Sequence, residues 1–206
     1  MRAILLILVT LTMTACATVG QRPPVADPQG VWQQRQDRLR HLDHWDVKGK
    51  LGMRGEKKKG QANMVWVRQG DTHKIHLFGP FGGGMVKLTQ EPGLARLLDS
   101  KKKVYTSDNV HDLLYETTGW EIPFESLQYW VLGLPVPDAP NQLVLDPWGR
   151  LATLQQGGWK VRVLSYRRYG DYELPRKIQL VAQPGSHPEA PERKAEVKLV
   201  IKRWGL

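Results

Sequence analysis

The 206-residue chain has one cysteine, Cys16, and only three phenylalanines. A single cysteine excludes an intrachain disulfide, so the fold is held without a covalent staple. Its one mostly apolar run, Ala3 to Met13, falls short of the roughly 20 residues a bilayer-spanning helix needs. Phosphate-cradling glycine loops and Gly-x-Ser-x-Gly elbows are missing. His41 with His44, and His73 with His76, have neither a metal-site motif nor a cysteine companion, and they read as surface or boundary histidines. Carboxylates are scattered without a catalytic pair. These absences leave no metal, no cofactor and no enzyme in the expected reading. An envelope lipid hydrolase with an apolar pocket, or a non-catalytic scaffold, stays open as the alternative.

The N-terminus speaks for export. Arg2 precedes the apolar run, small residues follow, and Met13-Thr14-Ala15-Cys16 resembles a bacterial lipobox with Met at its first position. Residues 1–15 are therefore expected to be a signal peptide and Cys16 the lipid attachment point. Ala17 is not Asp, which by the sorting rule for such lipoproteins gives an outer-membrane address on the periplasmic face. Residues 16–29 carry Pro23, Pro24 and Pro28 without apolar periodicity, the composition of an extended tether. Export also argues against nucleic acid as the partner of a chain with net charge +10. The lysine runs 57–59 and 101–103 read as solvated hairpin ends, or else as basic patches toward anionic lipid or an acidic carrier rim.

Residues 30–206 have the length of one domain. Trp45, Val47, Leu51 and Met53 alternate with Asp46, Lys48 and Lys50; the same period recurs at Ile75 and Leu77, at Val86 and Leu88, and at Val197, Leu199 and Ile201. Period two predicts half-buried antiparallel strands. Turn signals RGEKKKG, RQGD, EPG, DPWG, QGG and QPG separate them at hairpin spacing. Three stretches read as helices: 29–42; one opening at Ser107 or Asp108 and stopping at Gly119; and one with Pro123 in its first turn, ended by Gly133 and Pro135. The latter two interrupt the strand series, so they are expected to cover one face or mouth of a mainly β sheet. Whether that interior is a filled core or an adaptable cavity, periodicity alone leaves open.

TTGWEIPFESLQYWVLGLP (117–135), with GQANMVWVRQG (60–70), GPFGGG (79–84), LDPWGRLATLQQGGWKV (145–161) and VKLVIKRW (197–204), resembles the outer-membrane lipoprotein LolB family, in order and over the whole mature chain. The Pro-rich stretch 183–195 departs from the family pattern and resembles a lengthened hairpin loop. The resemblance implies a single unclosed antiparallel β-barrel around a hydrophobic cavity with an α-helical lid. It also implies a monomeric receptor that takes acylated lipoproteins from the periplasmic carrier LolA and inserts them into the outer membrane. In the family an exposed apolar residue protrudes from a loop between two early strands; the matching position is Phe81, flanked by Pro80 and Gly82. By inward parity, the expected acyl-binding residues are Val47, Leu51, Met64, Trp66, Ile75, Leu77, Val86, Leu88, Val161, Val163, Ile178, Leu180, Val197, Leu199 and Ile201. The lid contributes Leu113, Leu114, Leu127, Trp130 and Val131.

Overall fold

The computed structural model describes residues 22–55, 58–79, 84–184 and 194–206. Cys16, Lys57, Pro80, Phe81, Gly82 and most of the 183–195 stretch lie outside them.

Alternation sets the architecture. Strand β1 (His44–Arg54) buries Trp45, Val47, Gly49, Leu51 and Met53, while every other side chain faces outward or is half-buried. Strands β2 (Lys59–Gln69), β3 (Thr72–Phe78), β4 (Val86–Glu91), β5 (Leu94–Leu98) and β6 (Val104–Ser107) continue it as an antiparallel meander. A second meander comprises β7 (Asn141–Leu145), β8 (Leu151–Gln156), β9 (Trp159–Tyr169), β10 (Tyr172–Ala182) and β11 (Glu196–Gly205). Pairing of β1 with β11, from Asp46 opposite Gly205 to Arg54 opposite Glu196, fuses the two into one eleven-stranded sheet. Its order is β6-β5-β4-β3-β2-β1-β11-β10-β9-β8-β7. Strands β6 and β7 are its edges and no ladder joins them, so the barrel is unclosed, as the sequence reading expects. All six turn signals fall between consecutive strands.

Helix α1 (Pro28–Arg40) begins where the Asp27 carboxylate accepts a hydrogen bond from the Gly30 amide at 2.9 Å, satisfying one of the free donors of the first turn. Helices α2 (Val110–Thr118) and α3 (Phe124–Trp130) lie in the connection from edge strand β6 to edge strand β7 and cross the inner face of the sheet. Their ends differ from the sequence reading. The cap of α2 is Asn109, whose side chain accepts from the Asp112 amide, while Ser107 Oγ instead accepts from the Asn109 amide. Pro123 precedes α3 as its cap instead of sitting within its first turn. Gly119 ends α2 in the left-handed conformation, φ 70°, as its position predicts.

Antiparallel pairing sorts the connections onto two rims. The β1–β2, β3–β4, β5–β6, β8–β9 and β10–β11 connections leave from one rim, which we call the upper. The β2–β3, β4–β5, β7–β8 and β9–β10 turns leave from the lower. The stretch read as tether reaches this lower rim. The Val25 amide donates to Pro147 O at 3.0 Å, the Trp148 indole donates to Arg22 O and Pro23 O at 3.1 and 3.2 Å, and Arg22 pairs with Glu173 at 3.4 Å. Glu173 also takes Arg150 at 2.6 Å, and its carbonyl accepts from Arg35 of α1 at 2.8 Å. Residues 22–27 therefore run as a strap along the β7–β8 turn, and helix α1 begins within the stretch assigned to the tether.

The β1–β11 register shifts between Lys48 and Gly49. A Cβ on Gly49 would stand 2.4 Å from Val200 O, a backbone atom that cannot rotate away, whereas one on Gly52 meets nothing closer than 3.9 Å. Gly49→Ala is expected to lower unfolding stability by at least about 2 kcal/mol in urea titrations, and Gly52→Ala to change it by less than about 0.5 kcal/mol.

Candidate functional site

The inner face of the sheet divides into a filled part and a looser part. Toward the lower rim, rings close the floor. Trp45 meets Trp66 and Trp204 edge-on at centroid distances of 5.1 and 5.3 Å, and Phe124 of α3 lies 5.3 Å from Trp66. Rigid rings in tilted and T-shaped contact leave little to rearrange. Val47, Val161, Ile178, Leu180, Val197, Leu199 and Ile201 are buried in the same continuous core, with Leu113 and Trp130 from the helices and Val131 capping α3. Val163 is half-buried, next to the register shift of β10 around Pro175–Ile178.

Toward the upper rim lies an apolar space of about 20 Å³, lined by Leu51, Met64, Trp66, Ile75, Leu77, Val86 and Leu88 from the sheet, with Leu114, Ile122, Phe124 and Leu127 from the covering segment. Every lining side chain is apolar. The first seven are among the fifteen expected sheet positions, and Leu114 and Leu127 are among the five lid positions; the other expected residues do not touch this space. Ile122 and Phe124 were missed. Phe124, the first residue of α3, stands three and seven residues before Leu127 and Val131 on one apolar stripe, a signal the sequence carries, whereas Ile122 lies before the capping Pro123 in a connection without periodicity. The space would hold about one water molecule, far from the roughly 300 Å³ or more of a pocket for an organic ligand.

Two buried polar side chains tie the cover to the sheet. Gln156, at the upper end of β8, accepts from the Trp130 indole at 3.1 Å and the Val136 amide at 2.8 Å, and its amide group donates to Val136 O and Ala139 O. All its hydrogen-bonding capacity goes to the exit of α3, which it pins. At the other end of α3, His73 is 2 % exposed and stands edge-on to Phe124 at 5.5 Å. Its Nδ1 accepts from the Trp66 indole N–H at 3.1 Å, which puts the imidazole proton on Nε2. Here the sequence reading needs correcting: His73 is no surface or boundary residue, because strand parity places it inward with Ile75 and Leu77. That parity was visible in the sequence. Among the described residues no group of three or more metal-ligating side chains converges.

An inward apolar face, a helical cover running between the two edges of an unclosed sheet, and a small apolar space beneath it together pose the question of family. The family model for outer membrane lipoprotein LolB matches residues 43–204. The chain belongs to this family. It is 35 % identical over 195 residues to the outer-membrane lipoprotein LolB of Pseudomonas savastanoi pv. phaseolicola, covering 93 % of this chain and 90 % of that protein. It is 36 % identical over 203 residues to that of Nitrosococcus oceani, covering 98 % and 96 %. A solved structure of the LolA superfamily protein NE2245 from Nitrosomonas europaea superposes with a TM-score of 0.52 at 8 % identity, covering 88 % of this chain and 94 % of that one, and so shares the fold. As a LolB family member the chain is an outer-membrane lipoprotein of the lipoprotein-transport system.

Burial pushes the His73 imidazole down to about 4; the nearby Arg68 charge adds to the shift, and a hydrogen bond with Gln128 of α3 opposes it. The unfolded chain, with its histidine near 6.5, binds a proton that the folded one refuses. Stability from this residue is therefore complete above about pH 6.5 and declines as pH falls toward about 4. Wild type minus His73→Gln, followed by urea midpoints across that window, is expected to show this decline; parallel curves for the two proteins would refute it.

Proposed function

We propose that the space between the upper half of the sheet and α2–α3 is where this outer-membrane receptor shelters the acyl chains of a transported lipoprotein. Cargo would arrive from the periplasmic carrier LolA and leave into the outer membrane. The observation that carries the reading is a wholly apolar lining, beneath a helical cover, at the rim from which the 79–85 connection departs.

The magnitudes require such a shelter. Each methylene exposed to water costs about 0.8 kcal/mol, so two or three long chains would cost tens of kcal/mol. About 20 Å³ cannot take them, so loading requires the cover to move. Gln156 holds the exit of α3 with four hydrogen bonds, which makes that exit the pivot about which the cover would move. Residence is then only moderately favourable, because acyl chains must displace side chains that already touch one another; this suits a station between carrier and bilayer. Cargo leaves chemically unchanged, and no bond chemistry is needed. Anchoring through Cys16 on the periplasmic face and action as a monomer complete the reading.

Phe81 is assigned the contact with lipid. A buried Phe gains roughly 1.5–3 kcal/mol, enough for reversible dipping and too little for locking. Displacement of a fluorescent fatty acid by an acylated peptide is the direct test of the shelter: competitive displacement is expected, and failure of any fatty acid to bind rejects it. Phe81→Glu should leave that displacement unchanged while slowing delivery of acylated cargo to liposomes by about tenfold or more. Equal delivery rates would remove Phe81 from the mechanism.

A further inference from the structure

Two concentrations of positive charge sit on the upper rim, one on each side of the β3–β4 connection. At the β1–β2 end, Arg54 and Lys59 are direct cross-strand partners, an arrangement of like charges that opposes pairing. Among the described residues neither has an ion pair. Beside them Glu196, opposite Arg54 on β11, is already engaged by the Lys198 ammonium at 2.9 Å and by the Gln179 amide. These side chains border an open groove of about 360 Å³ that Gly52, Gly60 and Gln61 also line. Three cations against one carboxylate leave the groove with a net charge of about +2 and with room for a phosphate-sized group.

At the β5–β6 end the turn is built to project lysines. The Asp99 carboxylate accepts from the Lys101 and Lys103 amides, both at 2.9 Å, and from the Tyr105 hydroxyl, so this acid is spent on the backbone and on Tyr105. Lys102 takes a left-handed φ of 64°, uncommon for a non-glycine residue. All three side chains are exposed, with the Lys103 ammonium over the Tyr105 ring at 4.7 Å.

We propose that this rim is a binding surface for anionic phospholipid headgroups, with the Arg54–Lys59–Lys198 groove and the 101–103 turn as its two phosphate-receiving points. The proposal rests on the reading that the intervening 79–85 connection meets lipid, and it supplies what that reading lacks. The strap holds residues 22–27 at the lower rim, so an anchor at Cys16 does not by itself orient the upper rim. Paired cationic points flanking the connection can. A bilayer fits them better than an acidic protein because the points are separated by the strand ends of β3 and β4 along the open rim, and because an anchored protein has a bilayer always within reach.

The test uses the chain from residue 16 onward with Cys16→Ser, which carries no acyl group, in co-sedimentation with vesicles of phosphatidylcholine alone or mixed with phosphatidylglycerol. Binding is expected to rise with phosphatidylglycerol and to fall with salt. A cation near an anionic surface contributes about fivefold in affinity. Arg54→Gln with Lys59→Gln, and separately Lys101→Gln with Lys102→Gln, should therefore each weaken binding by about 25-fold. Lys74→Gln with Lys202→Gln removes equal charge from the outer face away from this rim and should weaken it by less than about twofold. Equal losses in the control and rim variants, or wild-type binding indifferent to phosphatidylglycerol, would overturn the proposal. So would rim variants that bind vesicles normally and fail only in delivery from an acidic carrier, since the surface would then be a protein dock. Fatty-acid displacement by the unaltered chain, run in parallel, reports on the receptor reading by itself and does not enter the vesicle comparison.

Discussion

A curled sheet that does not close has an apolar concave face to be covered, and the rest of this molecule answers to that requirement. The cover is made by the one connection that can make it, the segment from edge strand β6 to edge strand β7, which must pass across the mouth of the curl to reach its destination. Its helices are short, nine and seven residues, too short to be stable alone in water. They exist because their apolar faces complete the sheet's interior. Cover and sheet thus stabilise each other, and neither has a separate core.

Polar contacts within this apolar contact surface decide where it is firm. Gln156 makes four hydrogen bonds at the exit of α3, and a buried amide robbed of them would carry its full desolvation penalty. The Trp66–His73 pair and the ring of indoles make the floor equally committed. Toward the upper rim the sheet's lining is aliphatic or thioether, Leu51, Met64, Ile75, Leu77, Val86 and Leu88, and these side chains have no hydrogen bond to lose on separation. Stability and adaptability are divided between the two ends of one interior.

Much of this was legible in the sequence. Strand parity at residues 45–53, 75–77, 86–88 and 197–201 gave the inward face because these strands bury one side only, and the glycine turns gave the hairpins. What escaped did so for physical reasons. Parity identifies inward residues but not which of them meet an open space, since that depends on how closely the cover descends; hence eight of the fifteen sheet positions lie away from the small space. Gln156 is one polar residue in QQGG, indistinguishable there from its exposed neighbour Gln155. The strap at residues 22–27 has no periodicity to read, because its hydrogen bonds use its own carbonyls and amide against a distant turn. His73, by contrast, obeyed the pattern and was set aside only because histidine is so often a surface residue.

The seam between β6 and β7 has one more consequence. In a closed barrel, widening the lumen means breaking ladder hydrogen bonds along an entire strand pair, so the girth is fixed by strand number and stagger. A split collar has no such limit: its two lips can part, and each of the ten ladders bends slightly without losing a bond. What limits the girth here is the clasp of two helices across the seam, and no ladder of hydrogen bonds.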